Sequence, residues 1–493
     1  MSRIDTSCSR GAVSAMIRRV ESIVRSRLFP QGGSASSERD KDRYIRAGRS
    51  MVFNAVSAAL GLMVLLCSVS LTLPYLGQER FGVWMTISSL AAMLSLLDLG
   101  VGNGLVNLVA HAKSTDERWR LQTIVSRGVW LLIAIGVLAA LVLAGALSVV
   151  GLHRVIKIRS QMAAHEAQTS VLVFIALFCA NIPLGGVRKV FQGLQRAWEP
   201  HIASSIGYLC ALPLLFACAR YHAPIPYLIG ATYGMQVFGS LLLLIRLYRE
   251  KIFSFRPDRS TSAWHDWKVL LSSGWVFFAL QIGAMCGWGS DALIVSHILG
   301  ASEVARLAIA QRLFQFVPVT VAMLTGPLWG LYADAKARGD RLFILNTLKI
   351  SLSAVSLLAL LMSGTILLAS PWLLHLWIGA RLQVPALLLC AVAVWVVLDS
   401  FGSAFAIFMN GMGELRSQLF AVGLFCATAL PLKIILLNAL GSVAWVVWST
   451  VFASLFADYA IFMVFFRKQI FRHVSAIDGA ADGALAEPQT RVS

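Results

Sequence analysis

Five stretches of this sequence, residues 50–78, 128–152, 167–187, 221–245 and 313–333, each run for 21 or more residues without an Asp, Glu, Lys or Arg. About 20 consecutive apolar residues cross the hydrocarbon core of a bilayer as a helix. In lipid every backbone N–H and C=O must be satisfied within the protein, so only helices or closed barrels span it. These runs lack the apolar–polar alternation of barrel strands, which leaves helices. Composition agrees. The chain is 58% hydrophobic and 13% charged, against roughly 25% charged in soluble domains. The expected fold is therefore all-α and integral to the membrane.

Extending the reading to interrupted apolar runs predicts twelve spans, near residues 51–73, 83–110, 128–150, 169–187, 201–219, 225–246, 268–299, 304–331, 346–370, 384–411, 415–438 and 441–466. The chain carries 42 Lys+Arg against 24 Asp+Glu, a net charge of +18. On a soluble protein that balance points to nucleic acid. Here it is accounted for by basic loops held on the cytoplasmic side, and no nucleic-acid partner is expected. With the N-terminus inside, the tails and alternate loops on that side hold 33 of the 42 basic residues, and the opposite loops hold 7. Arg154, Lys157 and Arg159 form the one loop that departs from the rule. A multi-pass inner-membrane protein with both termini in the cytoplasm is expected. Loops on both faces are short, which leaves no room for a periplasmic catalytic domain.

Residues 1–49 form a basic N-terminal extension. Val13, Met16, Ile17, Val20, Ile23, Val24 and Leu28 recur at helical spacing with Arg18, Arg19 and Arg25 between them, the pattern of an amphipathic helix lying on an anionic surface. An Arg-rich stretch of this kind is not a signal peptide. Residues 30–42 read as a Gly/Ser-rich charged linker, and residues 467–493 as a polar, disordered cytoplasmic tail.

Leu76-Gly77 recurs as Leu299-Gly300, Leu90 as Leu313, and Ala110-His111-Ala112-Lys113 as Ala333-Asp334-Ala335-Lys336, all at one offset. The shared offset divides the chain into two six-helix lobes, residues 50–247 and 268–466, joined by a cytoplasmic linker at 248–267. Six is even, so both lobes enter the membrane the same way. This is the parallel repeat of a transporter with a central cavity.

Enzymatic signatures are missing. There is no GxxxxGK[ST], HExxH or GxSxG. Asp40-Lys41-Asp42 has the DxD form of some glycosyltransferases but falls in the linker. Seven of the eight cysteines lie in apolar runs, with no CxxC, and the nine histidines show no ligand spacing. No catalytic residue, cofactor or metal is expected. Gly100/Gly104, Gly283/Gly287 and Gly326/Gly330 are small-residue stripes suited to close helix packing. Pro183, Pro213, Pro318 and Pro327 are expected to kink their helices. The informative residues are charges deep in spans: Asp98, Asp291, Arg312, Asp399, Lys433 and Asp458. Such groups are costly in lipid and face a cavity or a partner.

The segment Leu76-Gly77-Gln78-Glu79-Arg80-Phe81-Gly82-Val83-Trp84, followed by Leu96-Leu97-Asp98-Leu99-Gly100, resembles the polysaccharide transporter family. These are the flippases of O-antigen and exopolysaccharide repeat units, relatives of the multidrug and toxin extruders. Phe191-Gln192-Gly193-Leu194-Gln195-Arg196, Gly326-Pro327-Leu328-Trp329 and Met409-Asn410-Gly411-Met412-Gly413-Glu414-Leu415-Arg416 match further, and the likeness covers residues 45–466. It implies a V-shaped, two-lobed bundle that alternates access. The implied substrate is a short oligosaccharide on undecaprenyl diphosphate, carried from the cytoplasmic to the periplasmic leaflet without ATP. The implied partners are that lipid-linked oligosaccharide, membrane lipids, and the polysaccharide polymerase and export machinery. An ion-coupled multidrug exporter remains as an alternative, as does a membrane-bound polymerase or ligase, although the latter wants a long periplasmic loop that is missing here.

Within this frame Arg312, Asp291 and Lys433 are substrate-binding candidates. Arg312 falls where flippases of the superfamily often place a cavity cation. Asp98 is an ion-coupling candidate, or else caps locally near Asn103. Asp399 and Lys433 lie at similar distances from the turn between their helices and are expected to form a structural ion pair. Asp291 and Arg312 are equidistant from the turn at 300–303. They are expected to pair, either permanently or in exchange with the carrier diphosphate. The charge bias gives the first testable outcome. A reporter active only in the periplasm, fused after Arg472, stays silent if both termini are cytoplasmic. Activity there would reverse the orientation.

Overall fold

The computed structural model describes residues 36–94, 101–114, 118–150, 160–254, 289–326, 328–413 and 415–459, with a few single positions between 157 and 287. Among the described residues all regular structure is helical. The amphipathic stretch at 13–28, Asp98, and the tail beyond 459 lie outside them, and the side chain of Asp458 is also not described.

The first helix, α1 (Ser36–Leu94), begins inside the stretch expected to be a linker. The physical reason is local. From Ser36 to Ala47 the sequence holds no Gly or Pro, the residues that most oppose a helix. In its second half α1 breaks at Gly77 (φ 70°, ψ 177°), three residues after Pro74, and so contains the first expected span and the start of the second. α2 (Val101–Ser114), α3 (Arg118–Val150), α4 (Gln161–Gly193) and α5 (Trp198–Arg220) follow. α6 (Ile225–Ile229) passes through a single π turn, Gly230–Gly234, into α7 (Met235–Arg249).

In the second half, α8 (Asp291–Ile298) leads through Gly300 into α9 (Ala301–Phe314), α10 (Phe316–Thr325) and α11 (Leu328–Arg338). α9 and α10 are bent by 43°. Pro318 accounts for the bend, because its ring conflicts with the carbonyl of Phe314 and it offers no N–H to the ladder. Gly339 (φ 71°) then turns the chain, and the Asp340 carboxylate caps α12 (Arg341–Ile378) by accepting from the Phe343 N–H at 3.0 Å. α13 (Ala386–Met412), α14 (Leu415–Leu440) and α15 (Ala444–Ser454) complete the described chain.

Eight of the described helices are long and apolar enough to cross a membrane, or nine if α9 and α10 count as one broken span. The chain is a multi-pass membrane protein. Large apolar side chains that face outward, such as Leu138, Leu141 and Val142 on α3 and Leu357, Leu360, Leu361 and Leu368 on α12, form its lipid surface. The packing inside is helix on helix. α1 packs against α5 on one side and α9 on the other, and so touches both halves of the chain. The Gly283/Gly287 stripe packs closely: a Cβ at either glycine would overlap Val422 or Phe425 of α14. Gly326 meets only its own helix.

Corresponding places in the two halves carry the same local devices. Gly77 and Gly300 (φ 103°, ψ 166°) both combine positive φ with an extended ψ. The Lys113 ammonium donates to the Leu194 carbonyl at 2.5 Å, closing α2 onto the end of α4. The Lys336 ammonium donates to the Met412 carbonyl at 2.7 Å, closing α11 onto the end of α13. The next residue is left-handed in each case, Gln195 (φ 58°) and Gly413 (φ 72°).

The two glycine breaks make a direct test. The region that combines positive φ with extended ψ is essentially glycine-only, and holding another residue there costs about 1–3 kcal/mol. Gly77→Ala and Gly300→Ala should each lower the thermal unfolding temperature of the purified protein. Gly423→Ala, in ordinary helical backbone with nothing within 4 Å of the added methyl, should leave it unchanged.

Candidate functional site

The motif at residues 76–84 builds one end of the molecule. Gly77 supplies the break. The Arg80 guanidinium grips the buried Glu166 carboxylate of α4 through two nitrogens, at 3.0 and 2.7 Å. Glu166 also accepts from the Ile225 N–H at the start of α6, at 3.5 Å, and Glu79 accepts from the Ser160 N–H at 3.4 Å. Phe81 meets Trp84 edge to face with ring centroids 5.8 Å apart, and both rings are buried. Gly82 has a different task. Its α-carbon lies so near the Ala301 carbonyl of α9 that any Cβ would overlap it.

That approach is one of several ties between the halves at this end. The Lys157 N–H donates to the Ser296 carbonyl at 3.3 Å, and the Ala301 N–H donates to the Lys157 carbonyl at 3.4 Å. The Gln78 amide donates to the Arg381 carbonyl at 3.3 Å, and the Trp377 indole N–H to the Leu66 carbonyl at 3.1 Å. All of these run to backbone atoms. On the charge-bias reading this is the outer end.

Arg312 sits on α9 about 16 Å along the helix from Ala301, at 1.5 Å per residue. Its guanidinium reaches across to α1. It donates to the Ser68 hydroxyl at 3.1 Å and to the Leu65 carbonyl at 3.5 Å. The faces of Phe81 and Trp84 lie 6.0 and 5.9 Å from its central carbon. Among the described residues no carboxylate pairs with it. A guanidinium held by one hydroxyl, one carbonyl and two ring faces keeps donors to spare for an anion.

Both expected ion pairs are corrected. Asp291 pairs with Lys433, at 2.5 Å, rather than with Arg312. The Lys433 ammonium also donates to the Gly287 carbonyl, and its side chain is 0% exposed. Asp399 is half-buried and has no ion-pair or hydrogen-bond partner among the described residues. Equal distance from a turn fixes height in the membrane but not direction around the helix. α8 packs against α14, which aims Asp291 at Lys433, whereas α9 packs against α1, which aims Arg312 at Ser68. Lys433 is closed off from any substrate in this arrangement.

At the opposite end of the first half, four charges interlock. Arg196 binds Glu199 at 2.5 Å and Glu250 at 2.6 Å, and Arg246 binds the same two carboxylates at 3.1 and 3.0 Å. Hydrogen bonds from Arg196 hold the Glu250 carboxyl down to about 2. Arg49 of α1 lies over the Trp198 ring at 3.7 Å. This network fastens α1, α5 and α7 to one another. A search for charges within spans overlooks the Ser68 hydroxyl and the Phe81 and Trp84 rings, and it passes over Glu166 because that residue falls just before the span expected at 169–187; of the four, only Phe81 and Trp84 were held by the motif at 76–84.

Comparison with known proteins agrees with this architecture. The family model described as polysaccharide biosynthesis protein matches residues 49–328. A Yersinia pseudotuberculosis protein assigned by name to O-antigen export is 21% identical over 381 residues, covering 73% of this chain and 82% of that protein. An inward-facing multidrug resistance transporter of the MATE family, MOP superfamily, superposes with a TM-score of 0.72 at 15% identity, covering 86% of this chain and 99% of that one. The lipid II flippase MurJ in an inward closed conformation gives a TM-score of 0.65 at 12% identity, over 89% and 94% of the two chains.

The corrected pairing sets an expected outcome. Lys433→Ala leaves the Asp291 carboxylate buried and unpaired, which costs about 3–5 kcal/mol. Protein abundance and unfolding temperature should fall together. Adding Asp291→Asn should recover part of the loss, while adding Asp399→Ala should recover none. Rescue by Asp399→Ala would restore the other pairing.

Proposed function

This chain belongs to the polysaccharide biosynthesis protein family, and from that premise we propose that it flips a lipid-linked oligosaccharide across the membrane by alternating access. The substrate is an undecaprenyl-diphosphate-linked repeat unit of O-antigen, capsule or exopolysaccharide. It passes from the cytoplasmic to the periplasmic leaflet of the bacterial inner membrane, and both termini of the transporter are cytoplasmic. Residues 50–247 and 268–466 move as the two lobes, with residues 248–267 as the linker. The polysaccharide polymerase and export machinery take up the product. The likeness of the first relative, assigned to O-antigen export, supports this reading.

The observation that carries it is Arg312. An unpaired cation deep in the membrane is expensive, and here it is held only by weak neutral contacts with α1. A diphosphate offers a guanidinium charge-assisted, bidentate bonds about twice as strong as neutral ones. The incoming headgroup therefore draws Arg312 away from Ser68 and Leu65. Those bonds join the two halves beneath the closed end, so capturing Arg312 removes one of the ties that hold that end shut. No covalent step is required, and no residue is assigned a catalytic role. Asp98, outside the described residues, is the candidate for ion coupling, because by sequence no opposite charge falls at its depth on the neighbouring spans.

The MATE-like fold keeps one alternative in view, an ion-coupled small-molecule exporter. The two separate on cargo. In vesicles containing the purified protein and a fluorescent undecaprenyl-diphosphate saccharide, transbilayer movement is expected with wild type. Arg312→Ala should slow it by roughly 10- to 100-fold, the worth of a charged hydrogen bond of about 1.5–3 kcal/mol. Arg312→Lys should lie between, keeping charge but losing the fork. Unchanged flipping by Arg312→Ala removes the role of Arg312. No movement with wild type, together with export of a cationic dye, favours the exporter.

A further inference from the structure

A cavity of about 270 Å³ opens between α4 and α5, near the end of the first half that carries the Arg196–Glu250 network. Its wall on α4 is a stripe at helical spacing: Asn181, Gly185, Arg188 and Gln192. Lys189 borders the same wall, and α5 contributes His201 and Ser204. No carboxylate lines it among the described residues. Arg188 donates to the Asn181 side-chain oxygen at 3.3 Å and makes no ion pair among the described residues. Its guanidinium is thus committed to one long, neutral bond beside a space into which its other donors open.

The second half lacks this chemistry. Its matching turn, marked by the Met412 carbonyl and Gly413, aligns residue for residue with Leu194 and Gln195. Counting back from the two turns, Arg188 corresponds to Ala406 and Lys189 to Ile407. Counting forward, His201 corresponds to Leu419 and Ser204 to Val422. A repeat that keeps the same turns and lysine clamps in both halves carries these basic and polar residues at the matching positions of only one. Scaffold accounts for what the halves share. It does not account for a cation cluster at these positions in one of them alone.

We propose that this cavity is a second diphosphate-binding site, which receives the headgroup of the lipid-linked saccharide at the cytoplasmic leaflet before it reaches Arg312. Two cations, an amide and a hydroxyl around one space match a diphosphate, with Arg188 supplying the fork and Lys189 the point charge. The volume lies just under the roughly 300–1,000 Å³ of pockets for drug-sized ligands, so it takes a headgroup and leaves the saccharide outside. Arg188 is about 8 Å from the end of α4 at Gly193, at 1.5 Å per residue, within reach of a headgroup still at the membrane surface. The inference rests on the flippase reading for the identity of the ligand.

The test uses Gly185, where an added Cβ meets only the Arg188 guanidinium, at 4.0 Å. Gly185→Asp places a carboxylate one turn from Arg188 and fills the site with an internal competitor, leaving every native side chain in place. Gly185→Ala is its steric control. Binding of undecaprenyl diphosphate to the purified full-length chain is read by thermal stabilisation in the Arg312→Ala background, which isolates this site. Binding is expected in that background and with Gly185→Ala added. It should weaken tenfold or more with Gly185→Asp, and likewise with Arg188→Gln. Equal binding by the Gly185→Asp and Gly185→Ala proteins overturns the proposal, as does complete loss of binding on Arg312→Ala alone where the wild-type chain binds. Inorganic diphosphate is the second probe. Equal sensitivity of that anion to Gly185→Asp, with no binding of the lipid, makes the cavity a site for a free anion and overturns the headgroup assignment. A wild-type chain that binds neither undecaprenyl diphosphate nor its saccharide conjugate fails the flippase reading itself, a result distinct from all of these.

Discussion

The approach of Gly82 to the Ala301 carbonyl sets the terms for the rest of the structure. Two helices from opposite halves meet there backbone to backbone, with no side chain between them. Around that contact the ties are single hydrogen bonds to carbonyls, from Lys157, Ala301, Gln78 and Trp377. Each such bond contributes on the order of 1 kcal/mol net. Within a half the fastening is heavier: the two-pronged Arg80–Glu166 pair, the Lys433–Asp291 pair, and the four-charge cluster of Arg196, Glu199, Arg246 and Glu250. Rigid halves joined by weak, dispersed bonds are what rocking requires. The gap between two conformations must be a few kcal/mol if a ligand is to shift it.

The buried charges divide by the same logic. Lys433 and Asp291 satisfy each other inside the second half, and removing either strands the other in low dielectric. They hold α8 to α14 and have little to offer a substrate. Arg312 is the reverse case, reaching a hydroxyl and a carbonyl of the other half. Its desolvation is only partly repaid by neutral partners and ring faces, so a phosphate gains more from it than from a cation already paired. The capacity to bind thus follows from incomplete satisfaction, and incomplete satisfaction from the direction in which α9 faces.

The membrane class was legible because uncharged runs of this length have one physical use, and helix type followed from the missing alternation. The break at Pro318 was legible too, since proline acts on its own helix. Gly77 and Gly300 appeared as a faint repeat and are seen to share a backbone conformation that few residues other than glycine adopt. The ion pairs were not legible. Height along an antiparallel pair is a one-dimensional quantity, whereas contact also needs azimuth, and azimuth is decided by which third helix each helix packs against. α14 claimed Asp291 and α1 claimed Arg312. The helix from Ser36 was overlooked for a smaller reason: a serine- and charge-rich run that reads as a linker is also free of Gly and Pro from Ser36 to Ala47.

A duplicated scaffold makes differences between its halves informative. Lys113 and Lys336 each donate to the carbonyl at the end of a neighbouring helix, before a left-handed residue. Those features survive in both halves because each closes a helix end whose carbonyls need a donor. Asn181 and Asp399 occupy matching positions by the same count. Asn181 accepts from Arg188, while Asp399 faces Ala406 in place of that arginine in the sequence register, and stands without a partner among the described residues. The matching stretches of the two halves therefore differ in polar character, basic at Arg188 in the first and acidic at Asp399 in the second. In the proposed transport cycle a diphosphate meets first the cavity between α4 and α5 and then Arg312, which belongs to the second half and reaches into the first, so the proposed path runs from a cation of one half to a cation that touches both.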